Sequence, residues 1–472
     1  MKRNFWNFLF AFVCVLFLII LFINDINHAL EFDSSFNLNV IKNIASHGIY
    51  GTSVYLVDGQ KYYWFDPWIT TGPTVFLPTA LLIKIVSDFI FIPRLVMNVF
   101  FITFLYILAK LIVVIQRKIH FTQTFIYVTS LVFIFSKFIS NVTILGVDLV
   151  GEIPAYLFIL LSIWGLFLES PFIAGLSIGL AVATKLQLVY FCIPLFLGYS
   201  YFFYKKRGKD FFKFVLAAAM PVTIFTVSLL LVYGRHIKSY YGDFKGVAIM
   251  QKAYPILAGD AASAGVRFIR FIRYDPAFLI MLTVWFAIVF FQWRKYDLKR
   301  KIVFGSFSLY LGYFLFLWQF IAHRHLVIPT FIAFLLPGIV TLTYMSTDNM
   351  KKFIVGTFIV SILLFPSLIE SGEAFRNQTA AADHLRNKYG NATIYNIGWW
   401  KSPELQILLN KDFIRLDKKN RKMCSNDCKL IIADYILKGD PTVIPILDKY
   451  QKIDSFNGYS LYDLEKPRIY VQ

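Results

Sequence analysis

The sequence predicts an α-helical polytopic membrane protein that ends in a small α/β segment. Its composition predicts the membrane class: the 472-residue chain is 58% hydrophobic, holds 51 Phe and is only 16% charged. Soluble domains are roughly half apolar and about a quarter charged. Apolar runs of spanning length recur through residues 1–369, and polar character takes over in residues 370–472. Mean hydropathy is +0.62.

The net charge of +19 invites a nucleic-acid reading, which its distribution rejects. Lys2-Arg3, Arg117-Lys118, Lys205-Lys206-Arg207, the stretch from Arg294 to Lys301 and Lys351-Lys352 are short clusters between apolar runs. That is the bias of cytoplasmic loops. The expected partner is membrane lipid, with no nucleic acid.

Residues 5–23 follow Lys2 and Arg3 as one apolar run, long enough for a ~30 Å hydrocarbon core. No small-residue cleavage site follows, so the run reads as a retained signal anchor with a cytoplasmic N-terminus. Next, Asp33, Ser34 and Ser35 open a helix, Phe36, Val40 and Ile44 recur every four residues, and Gly48 ends it. This pattern predicts an amphipathic helix lying on the membrane. If Arg3 and Arg117 are both cytoplasmic, an even number of crossings separates them, yet apolar stretches occur at 5–23, 73–92 and 95–115. The stretch 73–92 carries Pro73, Pro78, Lys84 and Asp88, and charge inside a bilayer is costly. It is therefore placed on or partly into the outer face, and Asn24 to about Arg94 becomes one external loop.

Ten further spans follow at about 95–115, 121–139, 153–168, 171–184, 188–204, 214–233, 277–293, 302–320, 326–344 and 352–369, making about eleven. Every later basic cluster then falls inside. The other external pieces are 140–152, the long loop 234–276, the turn Ala322-His323-Arg324-His325, and the tail. In the tail, strand-like runs at Ala392–Tyr395 and Lys429–Ala433 alternate with helix-like pieces at 374–389 and 441–451, which reads as an α/β domain. Cys14 and Cys192 read as packing residues. Cys424 and Cys428 are close enough in sequence for a disulfide if the tail is extracytoplasmic. No repeats or low-complexity tracts occur.

On this topology, ionisable residues collect at one membrane level. Glu31 and Asp33 open the first amphipathic helix. Asp148 and Glu152 are four apart at the mouth of a span, and Lys185 ends another. Arg324 opens a third, and Arg267, Arg270 and Arg273 recur every three residues in the long loop. Carboxylates facing cations suit transfer from a phosphate-bearing donor. A carboxylate takes the proton of an attacking hydroxyl, and the cations neutralise the leaving phosphate. Each residue also has a plain explanation. Asp33 and Asp148 serve helix ends, Lys185 snorkels, and the arginines hold lipid head groups. His28, His323 and His325 are not at metal-site spacing, so no cofactor is assigned and a divalent cation is not indicated.

Taken in order, these motifs resemble the GT-C glycosyltransferases, in the branch of the protein O-mannosyltransferases and the lipid A aminoarabinose transferase. In that family the first external loop opens on an Asp-Glu pair and runs through a helix to a His-Gly or Asn-Gly end. Here Asp33 stands fourteen residues before His47-Gly48, with Ser34 at the Glu position. Thr71-Gly72-Pro73-Thr74-Val75-Phe76-Leu77-Pro78 looks like the start of the family's second interfacial helix. Gly151-Glu152-Ile153-Pro154 resembles the second acidic motif, with Glu for the more usual Asp. Ala183-Thr184-Lys185 resembles a Leu-Thr-Lys span end that contacts the lipid phosphate. Arg324-His325-Leu326-Val327-Ile328-Pro329 resembles Arg-Tyr-x-x-x-Pro, with His for Tyr.

The resemblance covers about residues 5–340. It implies an inverting glycosyltransferase that moves a sugar from a polyisoprenyl-phosphate donor to an acceptor hydroxyl on a lipid, glycan or protein. The reaction would take place on the extracytoplasmic face of a bacterial inner membrane. Asp33 would be the general base and Glu152 would orient the acceptor or the loop. Lys185, Arg324 and Arg270 would hold donor phosphate, with Lys84, Asp148 and Glu31 lining the same face. The rival classes are a polysaccharide polymerase or ligase, whose donor carries a diphosphate and an oligosaccharide, and a lipid-linked saccharide transporter. A transporter should show ionisable residues at mid-span and paired repeats.

Overall fold

The computed structural model describes residues 2–54, 63–64, 71–116, 120–138, 149, 151–185, 188–233, 276–316, 331–332, 335, 347–369, 371–397, 402–416, 427–434 and 443–467. Long apolar runs form long helices because a helix satisfies its own backbone in lipid. The bundle opens with α1 (Lys2–Asn27), α2 (Phe32–His47), the short pair β1 (Gly51–Thr52) and β2 (Tyr63–Trp64), α3 (Pro73–Val86) and α4 (Phe91–Gln116). It continues through α5 (Phe121–Phe138), α6 (Glu152–Phe167), α7 (Pro171–Thr184), α8 (Val189–Lys206), α9 (Gly208–Tyr233), α10 (Pro276–Gln292), α11 (Leu298–Phe316) and α12 (Thr347–Leu364). Among the described residues, α1, α4 and α9 are each long and apolar enough to cross a bilayer alone. The expected span at 326–344 lies almost wholly outside the described residues.

Leu81, Ile85, Leu231, Phe290, Phe291 and Leu363 are each more than 60% exposed. Bare apolar surface on this scale is stable only against lipid, so the protein is an integral membrane protein. The bundle interior is aromatic: Tyr156, Tyr199, Trp285 and Tyr310 are fully buried. Gly175 and Gly179, four apart on α7, lie against the backbone of Phe214 and Ala218 on α9, an approach that only small residues permit.

The helix read at 73–92 is shorter than expected. Pro73 occupies the first turn and Ser87 closes the helix in the left-handed region. At 1.5 Å per residue its length is about 21 Å, too short to cross. The stretch at 31–48 needs a correction. The helix forms, and Gly48 ends it with φ 69°. However, Ser34, Ser35, Asn37, Asn39 and Asn43 are buried along with Leu38, Val40 and Ile41. It is enclosed on both faces instead of lying on a bilayer, because the asparagines find partners in the chain that follows the helix and in the more distant Thr71 and Leu149.

At this end of the bundle the buried Arg94 of α4 donates to the carbonyls of Asp25 and His28, and Asn98 donates to the Asp25 carboxylate. At the other end, Glu169 accepts from Lys206 and, at 2.8 Å, from Lys299. These bonds hold its carboxyl down to about 2.

The C-terminal segment contains α13 (Glu373–Tyr389), β3 (Thr393–Asn396), α14 (Pro403–Leu409), β4 (Ile414–Arg415), β5 (Cys428–Ala433), α15 (Ile444–Leu447), β6 (Tyr450–Phe456) and β7 (Tyr459–Pro467). The strand order is β4-β3-β5-β7-β6. β3 pairs in parallel with β4 and β5, and β7 pairs antiparallel with β5 and β6. A core separate from the bundle's, including Leu385, Ile394, Leu405, Leu430 and Leu461, holds it together. Where a helix was read at 441–451, the chain makes one short turn and then β6. Asn457 and Gly458 both take positive φ, which is the Asn-Gly hairpin turn. Buried Glu404 accepts from the Tyr459 hydroxyl at 2.8 Å, and burial pushes its carboxyl up to about 7. Cys428 is disulfide-bonded, while Cys14 and Cys192 are free.

Candidate functional site

The acidic and basic motifs meet at the end of the bundle where α2 and α3 begin, α6 begins and α7 ends. Glu152 opens α6 behind Gly151, which takes φ 76°. Lys185 caps the C-terminus of α7. The two side chains form a buried ion pair between Lys185 Nζ and Glu152 Oε1, exposed only 7% and 2%. Two span-end charges 33 residues apart thus form one ion pair. Below it, the Tyr156 hydroxyl donates to that of Tyr310 at 3.3 Å.

The Thr71-Gly72-Pro73-Thr74 segment seats α3 on this pair. Gly72 N donates to the Thr184 carbonyl at 2.7 Å, and the Thr74 and Thr184 hydroxyls lie 2.5 Å apart. The Thr71 hydroxyl donates to the Leu149 carbonyl at 3.2 Å, and its side chain covers Gly151. A Cβ on Gly72 would lie 1.8 Å from the Ala183 carbonyl oxygen, so no other residue fits without displacing α3. Gly72→Ala is expected to lower the thermal midpoint by an amount equivalent to about 1–3 kcal/mol, and to slow the reaction. Gly356→Ala, at a glycine with open space around its Cβ position, should do neither. Melting curves and turnover measured on the same preparations check both.

Helix α2 completes the site. The Ser34 hydroxyl accepts from Leu149 N at 3.2 Å. Asn37 Nδ2 donates to the Leu149 carbonyl at 2.5 Å and to Thr71 Oγ1 at 3.3 Å. Asp33, half-buried in the first turn of α2, is thus one residue from the contact that holds the start of the Glu152 motif. Glu31 is the exposed N-cap residue of α2, and its side chain makes no capping bond.

Of the residues expected from sequence, Asp33, Glu152 and Lys185 belong to elements joined here. Lys84 does not reach the cluster: it is exposed in the last turn of α3, about 18 Å along the helix axis from Gly72. Asp148, Arg270 and Arg324 lie outside the described residues. Among the described residues, no group of three or more His, Cys, Asp or Glu side chains is placed to hold a metal ion. The sequence reading missed Asn37 and Thr74. Asn37 sits inside a polar set on a helix otherwise apolar at its fours, and that excess of amides is the signal that could have marked it.

Neither a protein-family model nor a curated protein sequence matches the chain. Solved structures do. ArnT from Cupriavidus metallidurans bound to undecaprenyl phosphate superposes with a TM-score of 0.60 over 98% of both chains at 9% identity. Its apo state gives 0.58 over the same shares at 10% identity. A weaker likeness, with a TM-score of 0.45 at 10% identity over 93% of this chain and 73% of the other, is to an Archaeoglobus fulgidus oligosaccharyltransferase. The fold is that of ArnT. It runs almost end to end through the ArnT architecture, C-terminal segment included.

Proposed function

We propose that the protein is an inverting membrane glycosyltransferase. It would transfer a sugar from a polyisoprenyl-phosphate donor to an acceptor hydroxyl on the extracytoplasmic face. The observation that carries this reading is the junction of α2, the Thr71-Gly72 turn, Glu152 and Lys185 at one end of the bundle. The fold it shares with a protein bound to undecaprenyl phosphate supports the donor class. The disulfide at Cys428 suits an oxidising compartment and an extracytoplasmic C-terminal segment.

The chemistry is a single displacement. The acceptor oxygen attacks the anomeric carbon as the bond to the phosphate oxygen breaks, and the configuration inverts. Asp33 takes the hydroxyl proton, and the lipid phosphate leaves with both bonding electrons. Lys185, fixed by Glu152, and the cations Arg270 and Arg324 stabilise the charge that grows on the phosphate. The inner-membrane location and the eleven-span count belong to the same proposal.

Mass spectrometry of the protein extracted with its lipids tests the donor class. A co-purified polyprenyl monophosphate or its glycoside is expected. A diphosphate-linked oligosaccharide would move the reading to a polymerase or ligase, and bulk phospholipid alone would overturn the donor assignment.

A further inference from the structure

The α2 helix is held at both ends by chain more than 300 residues away, and the contacts bracket Asp33. At its start, the Gln378 side chain of α13 clamps both backbone groups of Leu30. Leu30 N donates to Oε1 at 2.8 Å, and Nε2 donates to the Leu30 carbonyl at 2.9 Å. Along its middle, Ile407 and Leu408 of α14 join Leu38, Val40 and Ile41 of α2 in one apolar cluster. Beyond its end, the Ser53 hydroxyl donates to Asp412 Oδ1 at 2.7 Å. Asp412 also draws on the Lys42 ammonium, whose pKa burial lowers.

The Asp412 contact propagates back into the helix. A hydroxyl has one proton, and given to the carboxylate it leaves Ser53 Oγ to accept from Asn39 Nδ2 at 2.8 Å. That fixes the Asn39 amide, so its Oδ1 accepts from Ser53 N at 2.7 Å and from the Thr52 hydroxyl at 3.0 Å. Asn43 Nδ2 closes the set on the Gly51 carbonyl at 2.8 Å. The buried Asn39 of α2 is therefore ordered through a residue of the C-terminal segment.

We propose that the C-terminal segment is a clamp that positions α2, with Gln378 and Asp412 as positioning residues for Asp33. The catalytic part of this inference rests on Asp33 being the base. A base works only within hydrogen-bond reach of the proton it takes, and a displacement of about 1 Å costs on the order of 100-fold in rate. A helix pinned at both ends holds such a group better than a free loop does.

The test uses the full-length protein in lipid nanodiscs, with Gln378→Ala, Asp412→Ala, Asp412→Asn and the Gln378→Ala/Asp412→Ala double variant. Each single alanine variant is expected to lower kcat by about tenfold and the double by about 100-fold. Donor KM should stay within about twofold, because these residues do not touch the phosphate. Amide exchange across residues 32–47 should quicken in step. Asp412→Asn keeps an acceptor for Ser53 and should recover most of kcat, and it also serves if an alanine variant fails to fold. Unchanged exchange in α2 overturns the clamp, and faster exchange with unchanged kcat overturns its catalytic purpose. Full transfer by Asp33→Asn would remove the base reading, while the exchange measurement would still decide whether the segment holds α2.

Discussion

Asp33→Asn is expected to slow sugar transfer by about 10²- to 10⁴-fold, the range that a positioned general base supplies. The substitution preserves size and shape and removes the proton acceptor. Its cost to folding should be small. Asp33 lies in the first turn of α2, where a negative charge is worth about 0.3–1 kcal/mol against the helix dipole. A residue present only to serve the helix end would give the opposite pattern: a slightly lower melting temperature and an unchanged rate. Initial rates with a labelled polyisoprenyl-phosphate sugar, read beside a melting curve, separate the two. Wild-type transfer by the variant would dismiss Asp33 as the base. Donor KM should change little, because the base acts on the acceptor side.

The helical membrane class and several helix ends were legible because both are written locally. Apolar runs end at Pro, Gly and basic clusters, and the start of α3 at Pro73 and the end of α2 at Gly48 follow from residues that act where they stand. The environment of α2 was not legible. Asn37, Asn39 and Asn43 read as the wet face of an amphipathic helix, since spacing along the helix does not show the chain folding back over it. Their partners are Leu149, Thr71, Ser53 and Gly51, supplied by chain that folds over the helix. The hairpin at Asn457-Gly458 was legible in principle, although the helix-like reading of 441–451 covered the start of its first strand.

The same limit applied to charge. Glu152 and Lys185 were grouped by membrane level, and only the packing of α6 on α7 makes them a pair. The sequence reading also grouped Lys84 with them by membrane level alone. A membrane level fixes depth and leaves lateral distance open, and α3 carries Lys84 away from the junction.

The pairing makes the expected outcome at Lys185 different from that of a simple phosphate ligand. In Lys185→Ala the Glu152 carboxylate stays buried without its ammonium, and breaking such a pair costs about 3–5 kcal/mol. This variant is expected to lose activity and to melt early, so on its own it cannot assign a role to the lysine. A Glu152→Gln/Lys185→Met double variant removes both charges and nearly preserves volume. Replacing a whole buried pair with neutral groups is often close to neutral for stability, so the double variant should melt near the wild-type temperature. If Lys185 also stabilises the departing lipid phosphate, the double variant folds and still transfers sugar on the order of 100-fold more slowly, the scale of one lost charge-stabilising donor. Recovery of both stability and transfer would reduce the pair to a structural brace between α6 and α7, and phosphate stabilisation would pass to Arg270 and Arg324. Melting temperature sorts the two singles from the double, and turnover sorts the brace from the catalyst.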